Sequence, residues 1–335
     1  MRFIQNNETD PFFNLALEEY LLKEVFFESC VLWSGESSIV VGKHQNAMAE
    51  VNYSFVYEND ITVARRLSGG GTVFHGPGNL NFTFIRNGEP GRLIDFRKHT
   101  APVIGFLNAL GVPARFEGKN DLRVLGLKVS GNAEHVYKNR VLHHGTLLFD
   151  ANLNSLAEAI RVIPGRYVDK SVQSVRSQVA NIRDFLPEPM DFAEFRNRLT
   201  SWLKDYFAHE NGRDGHLREP IGYQLSENEK EVVRQLASEK YSQWEWIYGY
   251  SPEYIFSGAT RFKGHDLSLR LQVKKGVIQD AKIICSKEES YWTSLAKILV
   301  GRKHSIDGML NALKVHGIAD QRTSSFPSAL MPLFF

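Results

Sequence analysis

Cysteine is nearly missing: the 335 residues hold two, Cys30 and Cys285, and two separated thiols give no disulfide framework. His75, His143 and His144 catch the eye, but no Cys/His spacing of a structural or catalytic zinc site accompanies them. No run of about 18 apolar residues occurs, so no membrane helix is expected. Repeats and low-complexity segments are absent. The formal net charge is only +2, and neither nucleic acid nor a membrane is expected as a partner. Residues 1–4 enter a strand directly and look like neither a secretory nor a transit peptide, so a cytoplasmic protein is expected. The usual nucleotide signatures are missing as well. No Gly-Lys-Ser/Thr closes a phosphate loop, and no Gly-x-Gly-x-x-Gly opens a helix after a strand.

What is present concentrates in two segments. Residues 65–81 read Arg-Arg-Leu-Ser-Gly-Gly-Gly-Thr-Val-Phe-His-Gly-Pro-Gly-Asn-Leu-Asn. Glycine lets a ligand approach the backbone closely, and successive amides in such a turn favour anions. Arg65 and Arg66 add fixed positive charge suited to phosphate or carboxylate. A glycine-rich hairpin would explain three glycines alone, but Arg66, Ser68, His75 and Asn79 around them point to a ligand loop.

The second segment, residues 120–148, contains Asn-Asp-Leu-Arg-Val-Leu-Gly-Leu-Lys-Val-Ser-Gly-Asn-Ala and later His-His-Gly-Thr-Leu-Leu. Strand alternation puts Leu125, Leu127 and Val129 in a core, with Gly126, Lys128 and Ser130 on the opposite face. The same count puts Ile61, Val63, Arg65 and Leu67 on one face and Arg66 and Ser68 on the other. Adjacent His143 and His144 must face opposite ways, so at most one reaches a site.

Together these segments resemble the lipoate–protein ligase A family. The family pattern is matched in order by residues 65–73, His75, residues 78–81, Asn120 and Asp121, residues 126–131 and residues 143–148. The opening Asp10-Pro11, Asn14-Leu15-Ala16 and Glu18-Glu19 fits too, as does the aromatic signature over residues 241–249. One departure is Gly76-Pro77, where the family most often has aspartate after the histidine. The resemblance implies an α+β fold: a mixed-sheet, biotin/lipoate ligase-like catalytic domain over residues 1–250 and a small α+β accessory domain over residues 251–335.

The implied activity is ATP-dependent. Lipoate and ATP form lipoyl-adenylate and pyrophosphate, and the lipoyl group then passes to a lysine of an acceptor lipoyl domain. The implied acceptors belong to 2-oxoacid dehydrogenase complexes and the glycine cleavage H protein. Lys128 is the expected catalytic residue, bridging carboxylate and α-phosphate. Arg66 and Ser68 are expected on the anion face, with Gly70 and Gly71 giving close backbone approach. Val73, His75, Asn79, Asn120, Asp121, Ser130, His144 and Thr146 complete the expected adenylate site, and Asp121 is the candidate Mg²⁺ ligand. No tightly bound cofactor is expected. The alternative is an octanoyl or lipoyl transferase of the same fold, using a preformed acyl-adenylate or an acyl carrier. A thioester relay needs a cysteine nucleophile, and Cys30 and Cys285 both lie in apolar runs away from these motifs. A binding module without chemistry is the third reading, and the intact Lys128, Asp121 and glycines argue against it.

Elsewhere the pattern predicts a helix from Asp10-Pro11 with Phe13, Leu17, Tyr20 and Leu21 inward. Strands follow near 30–34, 38–42 and 61–67. Helices are expected at 101–110, 151–162, 192–207 and 227–239, with a loop at 209–220. Beyond Ser251-Pro252 come strands around 267–271 and 277–285, joined by a turn at 274–276, and helices at 291–300 and 306–315. Residues 251–335 carry 12 Lys+Arg against 7 Asp+Glu, an imbalance that could steer an acidic acceptor.

Overall fold

The computed structural model describes residues 1–88, 91, 93–160, 163–211, 221–285 and 289–335. Along the chain run β1 (Arg2–Gln5), α1 (Pro11–Lys23), β2 (Ser29–Trp33), β3 (Ser38–Val41), α2 (Ala47–Glu50), α3 (Tyr53–Glu58), β4 (Thr62–Arg65), β5 (Val73–His75) and β6 (Asn79–Asn87). Then come α4 (Phe96–Ala109), β7 (Ala114–Glu117), β8 (Asp121–Val124), β9 (Leu127–Tyr137), β10 (Arg140–Leu148), α5 (Leu153–Ala159), β11 (Tyr167–Asp169), α6 (Phe192–Asn211), β12 (Ile221–Gln224) and α7 (Glu227–Leu236). The last are β13 (Tyr254–Phe262), β14 (His265–Lys274), β15 (Val277–Cys285), α8 (Glu289–Leu299), α9 (Ile306–Val315) and α10 (Met331–Phe334).

Two compact units emerge. The first comprises Met1–Lys43, Thr62–Ala157 and Val175–Ser242. Its main sheet has eight strands in the order β12-β1-β2-β6-β10-β9-β8-β7, with a three-stranded sheet β4-β3-β5 beside it in the same unit. β12, β1 and β2 run parallel while the rest of the large sheet is antiparallel, giving the expected mixed α+β architecture. One face of that sheet is sealed by apolar side chains of β1, β2, β6 and β10 packed with α4 and α6, including Phe82, Phe84, Leu147, Phe106 and Phe195. Full burial of such side chains contributes roughly 1.5–3 kcal/mol each. The other face carries Trp33, Asn81, Thr83, His144 and Thr146, which meet as cross-strand partners. This face carries His144, Thr146 and Asn81, and is the candidate functional side.

Helix α1 starts where the sequence places it. The Asp10 carboxylate accepts from the amides of Phe12 and Phe13, and Pro11 occupies the first turn, where its missing N–H costs nothing. All of residues 13–22 except Tyr20 are buried.

The second unit comprises His44–Ile61, Glu158–Ser174 and Gln243–Phe335. Its sheet β11-β13-β14-β15 alternates cleanly, with Leu267, Leu269, Leu271 and Val273 facing α8 and α9. The expected boundary after residue 250 does not coincide with these units, because two earlier stretches join the second. β11 pairs with β13, and the Tyr53 ring stacks on Phe335 at 4.7 Å.

Local expectations also shift. Leu125 is not a core residue: it is 79% exposed with φ of 51°, followed by Gly126 at 84°. Two positive φ values make this the two-residue turn of a hairpin between β8 and β9. The helix expected at 101–110 starts earlier, at Phe96, and ends before Gly111 with φ of 82°. That at 151–162 is shorter, with residues 161–162 outside the described residues. The loop expected at 209–220 is helical through Asn211, and residues 212–220 lie outside the described residues.

Candidate functional site

The glycine loop leaves the end of β4 and is built around Arg66. This guanidinium is buried. It donates through Nη2 to the carbonyls of Gly69 (2.8 Å) and Gly71 (2.6 Å), through Nη1 to Val40 (2.9 Å) and through Nε to Ser68 Oγ (3.0 Å). Burial pulls its pKa down to about 10, against the charge of Glu18. Arg66 thus shapes the loop from inside instead of presenting itself on the anion face. In a planar trans peptide the C=O and the next N–H point opposite ways, so the Gly69 carbonyl turned to Arg66 aims the Gly70 amide outward. The amides of Gly69, Gly70 and Gly71 donate to no group among the described residues. Gly70 has φ of +87°, and a Cβ there would stand 3.2 Å from Arg66 Nη2 and 4.0 Å from Ala133 Cβ.

Ala133 shares a face of β9 with Gly131, two residues away, or about 6.5 Å along a strand. Over Gly131 lies the Lys128 side chain, whose Cε and Nζ would both stand 3.1 Å from a Cβ there. Lys128 Nζ sits 2.8 Å from Asp121 Oδ1, and Asp121 Oδ2 sits 2.9 Å from Arg123 Nη2. Lysine and glycine loop therefore stand over neighbouring positions of one strand face. A register shift explains how: Leu122 pairs with Ser130 but Arg123 with Lys128, leaving Val129 as an extra residue. The bulge corrects the expected alternation. Ser130 pairs with Leu122 and Leu147 on the apolar face, fully buried, and so lies on the opposite face from Lys128. Asn120 also turns inward, donating to the Asn132 carbonyl while its own carbonyl accepts from Asn132.

His144 faces the glycine loop. Its Nε2 lies 2.6 Å from Ser68 Oγ, and its Nδ1 lies 2.9 and 3.0 Å from the two Glu18 oxygens. Glu18 also accepts from Thr83 Oγ1 at 2.6 Å. His143 points the other way, into the apolar face. There His143 and His99 both approach Glu134 Oε1, at 2.9 and 2.8 Å, and these three form the one metal-capable His/Cys/Asp/Glu group among the described residues. It is on the wrong face for the loop, and a carboxylate accepting two ring N–H groups already accounts for it. His75, His143 and His144 do not converge.

Thr146 and Asn81 lie on the functional face, with His75 edge-on to Trp33 at 5.3 Å. Both nitrogens of His75, the Asn79 Oδ1 and both amide atoms of Asn81 are buried without a partner among the described residues. Burial pushes the His75 pKa down to about 3, helped by the charges of Arg66 and His144. Buried polar atoms left unpaired cost about 1–3 kcal/mol each, so this cluster is suited to a polar ligand. Val73 lies on β5 paired with Val40. At Gly76-Pro77 the chain makes a turn closed by Asn79 N to Gly76 O at 3.0 Å, with Gly78 at φ of 85°. Proline then positive-φ glycine is a type II turn, which holds the loop without a carboxylate.

Within the first unit, no cysteine lines this site. Cys30 belongs to the apolar core, where burial pushes its thiol well up, and Cys285 lies in the second unit. Sequence reasoning gave no role to Glu18, Thr83, Trp33 or Arg123. A signal for Glu18 was available: an acid in the middle of an apolar helix such as α1 needs a buried partner.

A family model described as the lipoyl protein ligase A/B catalytic domain matches residues 10–204. The chain is 42% identical over 287 residues to lipoate-protein ligase LplJ of Bacillus subtilis, covering 84% of each. It is 37% identical over 322 residues to lipoate–protein ligase 1 of Staphylococcus aureus, covering 95% of each. A crystal structure of lipoate-protein ligase A bound with ATP superposes with a TM-score of 0.62 at 25% identity, covering 74% of this chain and 98% of that one.

Proposed function

Because this chain belongs to the lipoyl protein ligase A/B family, we infer how its site carries out the work of a lipoate–protein ligase. The protein is an enzyme of that kind. Its first half-reaction joins the lipoate carboxylate to the α-phosphate of ATP and releases pyrophosphate. Its second moves the lipoyl group from the adenylate to a lysine amine, forming an amide and releasing AMP.

The observation that carries this reading is the pairing of the outward Gly70 amide, flanked by the unpaired amides of Gly69 and Gly71, with Lys128 on one strand face. Two anions must meet in the first step, and both need positive partners. Fixed amide dipoles meet the phosphates at no reorganisation cost. Lys128 leaves Asp121 and bridges carboxylate and α-phosphate, which stabilises the charge that develops between them. His75, Asn79 and Asn81 offer their unpaired atoms to the polar part of the adenylate, while His144 and Thr146 line the same face. Arg66 and Ser68 act through the loop. Arg123 holds the second oxygen of Asp121.

Asp121, beside Lys128, is suited to Mg²⁺, which takes one or two carboxylates plus phosphates and would neutralise the triphosphate charge. Lys128 moving to substrate frees its Oδ1 for that task. The proposed acceptors are lipoyl domains of 2-oxoacid dehydrogenase complexes and the glycine cleavage H protein. The second unit is proposed as accessory to transfer, its lysines steering an acidic acceptor. No helix among the described residues is long and apolar enough to cross a membrane, and the proposed location is the cytoplasm.

The test is pyrophosphate release from the purified protein with lipoate, Mg²⁺ and ATP, without acceptor. A lipoate-dependent burst equal to the enzyme concentration is expected. Transfer from supplied lipoyl-adenylate without a burst would instead make the chain a transferase that depends on another activating enzyme.

A further inference from the structure

The bulge between β8 and β9 makes Arg123 the direct cross-strand partner of Lys128. Like charges opposite each other on paired strands repel, so the two need an anion between them. Asp121 supplies it. It lies two residues before Arg123 on the same face of β8, with Oδ1 2.8 Å from Lys128 Nζ and Oδ2 2.9 Å from Arg123 Nη2. The two cations are held unequally. Arg123 Nη1 donates to the Gly126 carbonyl at 2.9 Å, and Nη2 also donates to Ser177 Oγ at 3.2 Å. Lys128 has Asp121 as its one side-chain partner among the described residues. The lysine can therefore leave the carboxylate, while the arginine is anchored to the hairpin turn and stays.

We propose that Arg123 is a positioning residue for the adenylation step. As a second cation on Asp121 it weakens the hold of that carboxylate on Lys128. When the ammonium turns to the substrate anions, Arg123 keeps Oδ2 paired and Oδ1 aimed at the site. Without it, the same movement would strand a carboxylate that is only 14% exposed, and a desolvated charge without a partner is costly. The cost would fall on the step in which Lys128 leaves. Arg123 touches no substrate in this scheme. The proposal rests on reading Lys128 as the charge that bridges carboxylate and α-phosphate.

The experiment reads the lysine with and without turnover. Arg123→Gln keeps a side chain that can bond Gly126 and Ser177 but removes the charge, whereas Arg123→Lys keeps the charge. The side chain is 24% exposed, so both variants are expected to fold. In lipoate-dependent ATP–pyrophosphate exchange, Arg123→Gln is expected to lower kcat about tenfold, the scale of one charge-assisted hydrogen bond, with KM for ATP and lipoate within about twofold. Arg123→Lys is expected to recover most of kcat. Trace acetylation of the ligand-free protein with acetic anhydride, read by mass spectrometry, reports how tightly Asp121 holds Lys128. Relative to the other lysines, labelling of Lys128 is expected to slow about threefold or more in Arg123→Gln, the effect of losing a unit charge a few ångströms away. In Arg123→Lys it is expected to return. Unchanged kcat or unchanged labelling overturns the proposal. So does a rise in KM for ATP at constant kcat, which would make Arg123 a substrate contact. Equal defects in the two variants also overturn it, since they would mark a structural role. Wild-type protein without exchange refutes the ligase mechanism instead, and the labelling then decides alone whether Arg123 loosens Lys128.

Discussion

Asp121 holds Lys128 at 2.8 Å across a bulged strand pair, and the bulge brings that lysine over Gly131 on the functional face. The ion pair keeps the ammonium extended and ready before substrate arrives. Lys128→Ala is expected to lower lipoate-dependent ATP–pyrophosphate exchange by about 10²-fold or more, the scale of losing one preorganised donor. Its melting temperature should stay close to wild type, since the side chain is partly exposed. Near-normal exchange would remove Lys128 from the mechanism.

Glycines of the two motifs should respond differently to a methyl group. At Gly145 a Cβ would stand 2.3 Å from Asn132 Oδ1 and 2.5 Å from the Phe82 ring, whereas at Gly69 it meets nothing within 4 Å. Gly145→Ala is expected to cost about 1–3 kcal/mol in denaturant unfolding, as overpacking does. Gly69→Ala should stay within about 0.5 kcal/mol. Equal losses would contradict this packing.

Gly70→Val combines a crowded Cβ with an unfavourable positive φ. The loop amide should no longer be presented, and exchange should fall about as far as in Lys128→Ala. Retention of ATP affinity by this variant, measured calorimetrically, would show that the loop is not the phosphate site.

Acid should destabilise the second unit through His304. Tyr254 donates to its Nδ1, its Nε2 donates to the Phe334 carbonyl, and burial pushes its pKa down to about 4. The unfolded chain takes up a proton near pH 6.5 while the folded one does not until about 4. Stability is therefore fully present above 6.5 and falls as pH drops through that window, by about 2 kcal/mol at pH 5. In His304→Gln the slope of unfolding free energy against pH between 4.5 and 6 should shrink by about one proton. Parallel curves for the two proteins would rule out His304 as the source.

Leu125 invites a stabilising change. It occupies a left-handed position, exposed, directly before Gly126. Asn-Gly is the preferred pair for such a turn, so Leu125→Asn should raise stability by about 0.5–1 kcal/mol. A loss of stability would mean that the leucine side chain is covered in solution.

Much of the candidate site was legible because its residues sit in short motifs. The glycines, Lys128, Asp121 and His144 could be named from residue type and order, and the opposite facing of His143 and His144 follows from strand period alone. Ser130 could not be placed, because one bulged residue reverses the alternation and nothing in Lys-Val-Ser announces it. Leu125 was misread for a related reason: an apolar residue in a two-residue turn looks like a strand residue. Arg66 was expected to face an anion, yet its charge is used on loop carbonyls, which depends on a backbone path that composition does not encode. The elements of the second unit were readable locally. The inclusion of residues 44–61 and 158–174 was not, since it depends on pairings such as β11 with β13.

That inclusion has a practical consequence for anyone dissecting the molecule. A fragment cut after residue 250 would keep Tyr53 and Tyr167 while discarding Phe335, Tyr254 and Phe256, the rings that cover them. It would carry sticky aromatic stubs, and its aggregation would be mistaken for a catalytic requirement. A faithful excision has to remove or repaint those stubs, because the limits of the first unit are set by three braided threads and not by a single scissor point.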